Sequence, residues 1–496
     1  MIKTWDIFDT LIARRCIFPK NIFQIVEQIT KIEGFAQVRT LAESNASKRG
    51  NYNLDDIYEE FQELLDAPKT LCDDLKDLEC DIEFEQSIPI TENIRQVKSG
   101  DVLISDMYLP ENFIRQLLNK AGLLVPVEIL ITSGGKSSGR IWQQFSEQNE
   151  FVFHTGDNMN GDIKNTRLAG FESTISISSN PNSVEQYLLQ KDFDFGAYLR
   201  EIRLRNPFPE EIKRLYWQLF TLNIGILILL VQQLDELQKK YGFEYLGFCG
   251  RDTYYLRLLY EKYKLERGEA PTPNDYLHYS RKLVRYCGDE MAKYFSDKIN
   301  NHKALMIDLI GSGTHLNYLR EKFNFNYSIL ICCHNGKESG KIYFNDVERP
   351  KDWLEWLQGE TSTKANKLNY CILNFKSPSY FFPNPFIEPL NRATHNSPIR
   401  LKTLQVGEKI LPKVTFSEIN DIEYPDVFES CFREALNLNL VSPVQNSHDS
   451  VKELLWLLFK VLTSVSVPVP LQNQHQLSES LDISFIKFLN KSSASK

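Results

Sequence analysis

Ile2-Lys3-Thr4-Trp5-Asp6-Ile7-Phe8-Asp9-Thr10-Leu11 begins with a short apolar run, Ile2 to Phe8, that carries Asp6 near its end and gives way to Asp9 and Thr10. Further along the chain, three more clusters follow the same design in a fixed order. Ser105-Asp106 follows Val102 to Ile104, Lys136 comes a few residues after Ile129-Leu130-Ile131, and Gly156-Asp157-Asn158-Met159-Asn160-Gly161-Asp162 follows Phe151 to Phe153. Apolar runs this short, bounded by polar and Gly residues, read as strands buried on both faces, the habit of parallel sheets. The polar clusters then collect at the carboxyl edge of one sheet, where open α/β folds bind ligands. Taken singly, a Gly-Asp at a strand end is a common turn and Lys136 after Gly134-Gly135 a common solvated loop residue. In this order they point to one site.

That order resembles the haloacid dehalogenase superfamily, most of whose members are Mg²⁺-dependent phosphatases, over about residues 1–180. The resemblance implies a Rossmann-like parallel sheet and the following roles. Asp6 would be the nucleophile that forms an aspartyl-phosphate. Ser105 would hydrogen-bond a phosphate oxygen, and Lys136 would neutralise the nucleophile and the transferring group. Mg²⁺ would take oxygens from Asp6, Asp157 and the backbone carbonyl of Phe8, while Asp162 would hold the loop or a metal-bound water. One position departs from the pattern. Family phosphatases carry a second Asp two residues after the nucleophile, as acid to the leaving group and base to water, and here that place is Phe8. Asp9 is adjacent, but a strand that points Asp6 and Phe8 the same way would turn Asp9 elsewhere.

Between Leu11 and Asp101 the periodicity becomes helical, with Ile22, Phe23, Val26 and Ile29 on one face and Ile57, Phe61 and Leu64 on another. By the same resemblance this is an α-helical cap, at about 12–100, that closes over the site, with Tyr108 and Pro110 near its hinge. A short strand is expected over Glu172 to Ser178. The expected domains are 1–195, a linker at 196–210, a second α/β domain over 211–400, and a helical extension with a disordered tail over 401–496.

A chain of 496 residues has room for two or three domains, and 42% hydrophobic residues suffice for proper cores. A net charge of -8 with no basic stripe argues against a nucleic-acid partner. The nine cysteines form no CxxC pair, so neither a disulfide frame nor a zinc site is expected. No targeting signal is expected, because the N-terminus runs straight into a strand. Leu219 to Val231, interrupted by Thr221, Asn223 and Gly225, is too short for a bilayer that needs about 20 residues, and reads as a buried helix.

From Glu210 a long helix to Tyr241 is followed by strands at Tyr245–Cys249, Tyr276–Tyr279, Ala304–Ile307 and Ser328–Cys333, alternating with helices. Such alternation implies a second parallel sheet. The turn Asp308-Leu309-Ile310-Gly311-Ser312-Gly313-Thr314 resembles the loop with which phosphoribosyltransferases hold 5-phosphoribosyl diphosphate. Asp308 would bind the ribose, and Gly311, Ser312, Gly313 and Thr314 would cradle the 5-phosphate at a helix N-terminus. Arg251 and Asp252 stand where that family has its pyrophosphate loop, and Arg281 or Lys282 would add a second cation. Family loops have two adjacent acids, whereas here Leu309 follows Asp308. Beyond Asn335, aromatic residues (Trp353, Trp356, Tyr380) read as core, and Val451 to Val461 as an amphipathic helix.

The fusion as a whole resembles proteins of bacterial surface-polysaccharide synthesis. This implies transfer of a phosphoribosyl group from phosphoribosyl diphosphate to a glycan or lipid-linked glycan acceptor, then removal of the 5-phosphate from the phosphorylated sugar. The expected location is the cytoplasm or the inner face of its membrane. Two alternatives stand beside this: a stand-alone phosphatase of sugar phosphates or nucleotides, and a binding protein with a dead site.

Overall fold

The computed structural model describes residues 2–148, 151–249, 253–277, 288–311, 313–334, 369–374 and 427–438, together with Leu454 and Leu458. It falls into two compact units, Met1–Gln186 with Gly196–Pro209, and Tyr187–Phe195 with Glu210–Lys496. Both are built on parallel sheets, so the chain is an α/β protein.

The chain begins with β1 (Ile2–Trp5) and β2 (Ile12–Arg14), then α1 (Pro19–Thr30), α2 (Phe35–Ser47), α3 (Leu54–Leu65), α4 (Lys69–Gln86), β3 (Ser87–Pro89) and the single turn α5 (Thr91–Ile94). It continues through β4 (Val102–Asp106), α6 (Glu111–Lys120), β5 (Glu128–Thr132), α7 (Arg140–Gln148), β6 (Val152–Gly156), a π-helical turn (Met159–Lys164), α8 (Asn165–Leu168), β7 (Glu172–Ile175), α9 (Ser183–Lys191) and α10 (Phe193–Leu204). The first sheet has the order β5-β4-β1-β6-β7, all parallel, with Thr4 of the central strand opposite Val102 on one side and His154 on the other. All of its chemistry-bearing clusters therefore emerge at one edge, as the apolar runs suggest.

One expectation needs correction. The first strand stops at Trp5, because the N–H groups of Leu11 and Ile12 both donate to the Ile7 carbonyl, at 2.8 and 3.0 Å, and fold the chain into a turn. Asp9 lies in that turn with a left-handed backbone, φ 58°, so strand alternation does not govern where it faces.

The helices α1 to α4 form the insertion between the first and second clusters, and the antiparallel ribbon β2–β3 closes its base. Asn53 starts α3 with a reciprocal cap: its side chain accepts from the N–H groups of Asp55 and Asp56, and Asp56 accepts from the Asn53 N–H. Such a cap is worth about 1 kcal/mol. Inside the insertion Arg39 is fully buried and forks onto Glu79 through two bonds of 2.7 Å, with the Tyr58 hydroxyl donating to the same carboxylate at 2.9 Å. The insertion is fastened to the rest of the unit at several points, among them two hydrogen bonds to the loops after β4 and β5. The Leu54 N–H donates to the Tyr108 carbonyl at 3.0 Å, and the Ser133 hydroxyl to the Tyr52 carbonyl at 2.6 Å.

The stretch from 196 that reads as a linker is helical through Leu204. Arg200, 1% exposed, reaches back from α10 to the carbonyls of Ser179 (2.9 and 2.7 Å) and Arg14 (2.8 Å). Leu204 packs with Ala13, Ile88 and Ile90 of the ribbon region.

The second unit contains α11 (Glu211–Tyr241), β8 (Tyr245–Cys249), α12 (Thr253–Glu266), β9 (Asn274–Leu277), α13 (Gly288–Ile299), β10 (Ala304–Gly311), α14 (Thr314–Lys322), β11 (Tyr327–His334), β12 (Asn369–Asn374) and α15 (Val427–Leu436). Its sheet has the order β12-β11-β10-β8-β9, again all parallel. α11 buries Ile224, Leu227 and Leu230 completely and ends at Gly242, whose left-handed φ of 61° lets its N–H reach the Gln238 carbonyl. Among the described residues no helix is long and apolar enough to cross a membrane. Gly250, Arg251, Asp252, Arg281, Lys282, Ser312, Trp353, Trp356 and Tyr380 lie outside the described residues, as does the helix expected over 451–461 apart from Leu454 and Leu458.

Candidate active site

At the carboxyl edge of the first sheet, carboxylate oxygens of Asp6, Asp157 and Asp162 all lie within 4.8 Å of one another. Lys136, 4% exposed, enters this cluster: its Nζ donates to Asp6 Oδ1, to Asp162 Oδ1 at 2.5 Å and to the Ile104 carbonyl at 3.2 Å. Thr10 Oγ1 donates to the other Asp6 oxygen at 3.2 Å. Ser105 is buried on β4, two residues beyond Leu103, which pairs with Trp5, so it stands at the same edge as Asp6. Of the residues read from the first domain, Asp6, Lys136, Asp157 and Asp162 are thus brought together, with Ser105 at the same sheet edge and Phe8 in the turn after Asp6.

Each side chain has an identifiable support. Asp106 shapes the loop after β5: it accepts from the Lys136 N–H (2.9 Å), the Ser137 N–H (3.0 Å), the Ser137 hydroxyl (2.6 Å) and the Thr132 hydroxyl. These bonds wrap residues 132–138 so that Lys136 points inward. Burial pushes the Asp106 carboxyl up, but the Ser137 and Thr132 hydroxyls and the two backbone donors outweigh it and hold it below its ordinary value. Gly135 is needed there because a Cβ would meet the Thr132 side chain at 2.8 Å.

Asp162 is held in the π-helical turn. Its Oδ2 accepts from the Asn158 N–H at 2.9 Å, and its Oδ1 lies 3.1 Å from His154 Nε2. Burial pushes Asp162 up, but the His154 hydrogen bond and the Lys136 charge win, keeping it far below the carboxylate range. An ionised carboxylate only accepts, so His154 carries its proton on Nε2 and its Nδ1 takes the Thr4 hydroxyl at 2.8 Å. Burial pushes His154 down to about 4, so the ring is neutral at pH 7. Gly156 faces Asp162 so closely that a Cβ would sit 2.3 Å from its carboxyl carbon.

Asp6 and Asp157 differ from Asp162. Burial, with Asp162 and Asp157 close by, pushes Asp6 well up despite Lys136. Burial and then the charge of Asp9 push Asp157 up to about 6, eased by its hydrogen bond with Asp6. Among the described residues no cation lies within ion-pair distance of Asp157. The two acids stand close with their carboxyls raised, the arrangement in which like charges ionise together only with difficulty unless a cation joins them. Their hard oxygens suit Mg²⁺. The turn's hydrogen bonds use the carbonyls of Ile7 and Ile12 and not that of Phe8, which leaves the Phe8 oxygen as a further donor. Asp162 already spends both oxygens on Lys136, His154 and Asn158, which fits holding the loop better than direct ligation.

Around the turn, Asn93 Nδ2 donates to the Thr10 carbonyl at 2.7 Å, and the Arg14 guanidinium lies 4.4 Å from the Phe8 ring centre while pairing with Glu83 at 2.8 Å. Burial raises Asp9, opposed by the charges of Arg14 and Arg200. His154, Asn93, Arg14 and Arg200 carry no role in the sequence reading.

The second unit departs from its expectation. β10 runs to Gly311, which pairs with His334, so Asp308 lies within the strand, opposite Ile331, and not in a loop. The cause is Leu309: fully buried, it continues the strand where a second acid would end it. Gly313, φ 66°, caps α14, which begins at Thr314. Gly311, Gly313 and Thr314 therefore sit at the carboxyl edge of the sheet, with Asp308 three residues deeper.

No protein-family description matches this chain, and no curated protein matches it.

Proposed function

We propose that the first unit is a Mg²⁺-dependent hydrolase of phosphate esters. The observation that carries this is the convergence of Asp6, Asp157 and Asp162 within 4.8 Å, with Lys136 Nζ on both Asp6 and Asp162. Asp6 is the nucleophile: one carboxylate oxygen bonds to phosphorus as the ester oxygen leaves, and water then cleaves the aspartyl-phosphate. Lys136 orients Asp6 and balances charge on the transferring group, Ser105 offers its hydroxyl at the same edge, and Asp162 with neutral His154 keeps Lys136 in line. Asp6, Asp157 and the Phe8 carbonyl would hold Mg²⁺, which supplies charge neutralisation at the phosphoryl oxygens. The docked cap keeps water from the intermediate until the organic product has gone.

The test is phosphate release from small esters with and without Mg²⁺, in wild type and Asp6→Asn. Loss of turnover in the variant is expected, because an amide cannot form the acyl-phosphate; wild-type rates would end the proposal.

A second reading joins the two units: phosphoribosyl transfer in unit two, then 5-phosphate removal in unit one. What favours it is a helix N-terminus with a left-handed Gly313 at the edge of a second parallel sheet, a setting suited to phosphate. It is tested by pentose-phosphate addition from phosphoribosyl diphosphate to glycan acceptors, which Asp308→Ala should reduce. In that scheme Asp6→Asn lets the 5-phosphorylated product accumulate.

A further inference from the structure

Asn93 lies in α5, on the leg by which the insertion returns to the sheet, and its buried side-chain amide serves partners far away in the chain. Nδ2 donates to the Thr10 carbonyl at 2.7 Å and to Ser176 Oγ at 3.0 Å. A backbone carbonyl only accepts, so the amide is oriented with its nitrogen toward Thr10. Thr10 is fully buried, and its hydroxyl donates to Asp6 Oδ2 at 3.2 Å. Ser176, also buried, follows β7, and its N–H donates at 2.7 Å to the carbonyl of Gly156, the residue before Asp157.

One amide thus connects the two loops whose carboxylates would hold the cation. On one side the path runs from Asn93 through Thr10 to Asp6. On the other it runs through Ser176 and Gly156 to Asp157, and every hydrogen bond along both is 3.2 Å or shorter. A side chain that merely satisfied the Thr10 carbonyl would need one donor and no partner beyond β7. The insertion's backbone holds the same turn from beside it, the Ile90 N–H donating to the Leu11 carbonyl at 2.8 Å. Lys136 pairs with Asp6 and Asp162, whereas among the described residues no cation pairs with Asp157. The separation of Asp157 from Asp6 therefore depends on the frame behind the two loops, and Asn93 joins its halves.

We propose that Asn93 is a positioning residue that sets the separation of Asp6 and Asp157 for a divalent cation; this rests on the hydrolase reading above. It acts through Thr10 and Ser176 and not on the ester itself. The insertion then does more than cover the site, because its return leg is part of the frame that holds the cation's carboxylates. Groups that orient metal ligands from behind are worth about 10–100-fold in metal affinity. Asn93 stands one hydrogen bond further back than Thr10, which places it at the lower end.

Asn93→Leu keeps the size of the side chain and removes both donors. Binding of MgCl₂ alone to the full chain is measured by isothermal titration calorimetry, beside Mg²⁺-dependent phosphate release from phenyl phosphate. The Mg²⁺ Kd should rise about tenfold in Asn93→Leu, while kcat at saturating Mg²⁺ falls less than the affinity does. Ser176→Ala breaks the same path on the Asp157 side and should raise the Kd in the same direction. Added to Asn93→Leu it should change the Kd by no more than about twofold, because the path is already cut. Should Asn93→Leu fail to fold, the Kd of Ser176→Ala decides alone. A wild-type Kd in the folded variants, with only thermal stability lowered, would make Asn93 a purely structural residue and overturn the proposal, as would additive effects of the two substitutions. A wild-type chain that takes up no Mg²⁺, or that releases phosphate equally well without it, would instead remove the hydrolase reading, and this proposal with it.

Discussion

Lys136→Met removes a buried cation while keeping the length of the side chain, and its cost follows from what the cation touches. Lys136 pairs with Asp6 and Asp162, whose side chains are 8% and 0% exposed. Deleting one partner of a buried ion pair costs about 3–5 kcal/mol, and here one cation serves two carboxylates, so the metal-free variant should lie toward the upper end at pH 7.5. The sign with pH is definite. Asp6 is already raised above its unfolded value with Lys136 in place and rises further without it, while Asp162 loses the charge that helps hold it down. Protonated in the fold, raised acids cost nothing near pH 4; they destabilise progressively as pH rises through the window that for Asp157 ends at about 6. The penalty of Lys136→Met should therefore be small at pH 4.5 and full at pH 7.5. The assay is urea unfolding in EDTA at both values, with hydrogen exchange on β1, β4 and β6 to assign the loss to the first unit. Mg²⁺ should restore part of it, and Asp162→Asn in the same chain should recover part as well, since it removes an orphaned charge. A penalty below about 1 kcal/mol at pH 7.5, against the usual cost of an unpaired buried charge, or one equal at both pH values, would refute this account of the cluster.

Gly156→Ala must push Asp162 aside, because its Cβ would lie 2.3 Å from the carboxyl carbon; a loss of about 1–3 kcal/mol with lost turnover is expected by thermal unfolding and phosphate release, and wild-type turnover would contradict it. Asp106→Ala leaves two N–H groups and two hydroxyls without their acceptor; kcat should fall with Mg²⁺ affinity retained, and Asp106→Asn should rescue in part, whereas equal loss of Mg²⁺ affinity would assign Asp106 to the metal. His154 has its folded pKa depressed from 6.5 to about 4, so it contributes stability that is complete above pH 6.5 and lost as pH falls toward 4. At about 1.4 kcal/mol per unit this amounts to about 3 kcal/mol, and His154→Gln should flatten that limb of the stability profile; an unchanged limb would mean that the ring is not neutral in the fold.

The residues of the first site were legible because each sits directly at or after a short apolar run, and the run alone places it on the sheet edge. α3 was legible for a similar local reason: Ile57, Phe61 and Leu64 share its face and Asn53 fixes its start. α2 and α4 were not, because what they bury includes charge. Arg39 is fully buried on α2 and Glu79 and Glu83 nearly so on α4, so a hydrophobic periodicity search reads their inner faces as solvated ones. The ribbon β2–β3 has only three residues per strand and carries no periodic signal. In the second unit Asp308 read as the start of a loop because it is acidic, yet Leu309 and Ile310 carry the strand past it to Gly311. The supporting set of His154, Asn93, Arg14 and Arg200 acts across the chain, with separations of up to 186 residues, and no local pattern announces it.

The reach of Arg200 to the Arg14 carbonyl, with Leu204 packed beside Ala13, Ile88 and Ile90, has a consequence for the order of events during synthesis. The turn that follows β1 and the base of the helical insertion leave the ribosome first, but the side chains that close them arrive only with α10. Long-range closure of this kind is slow and leaves surface exposed meanwhile. The first sheet can pair early, while the ribbon at the base of the insertion stays open until about residue 204 has emerged. A nascent chain stalled before Arg200 should therefore present a protease-sensitive ribbon at Ile12–Arg14 and Ser87–Pro89, and one released after Pro209 should not.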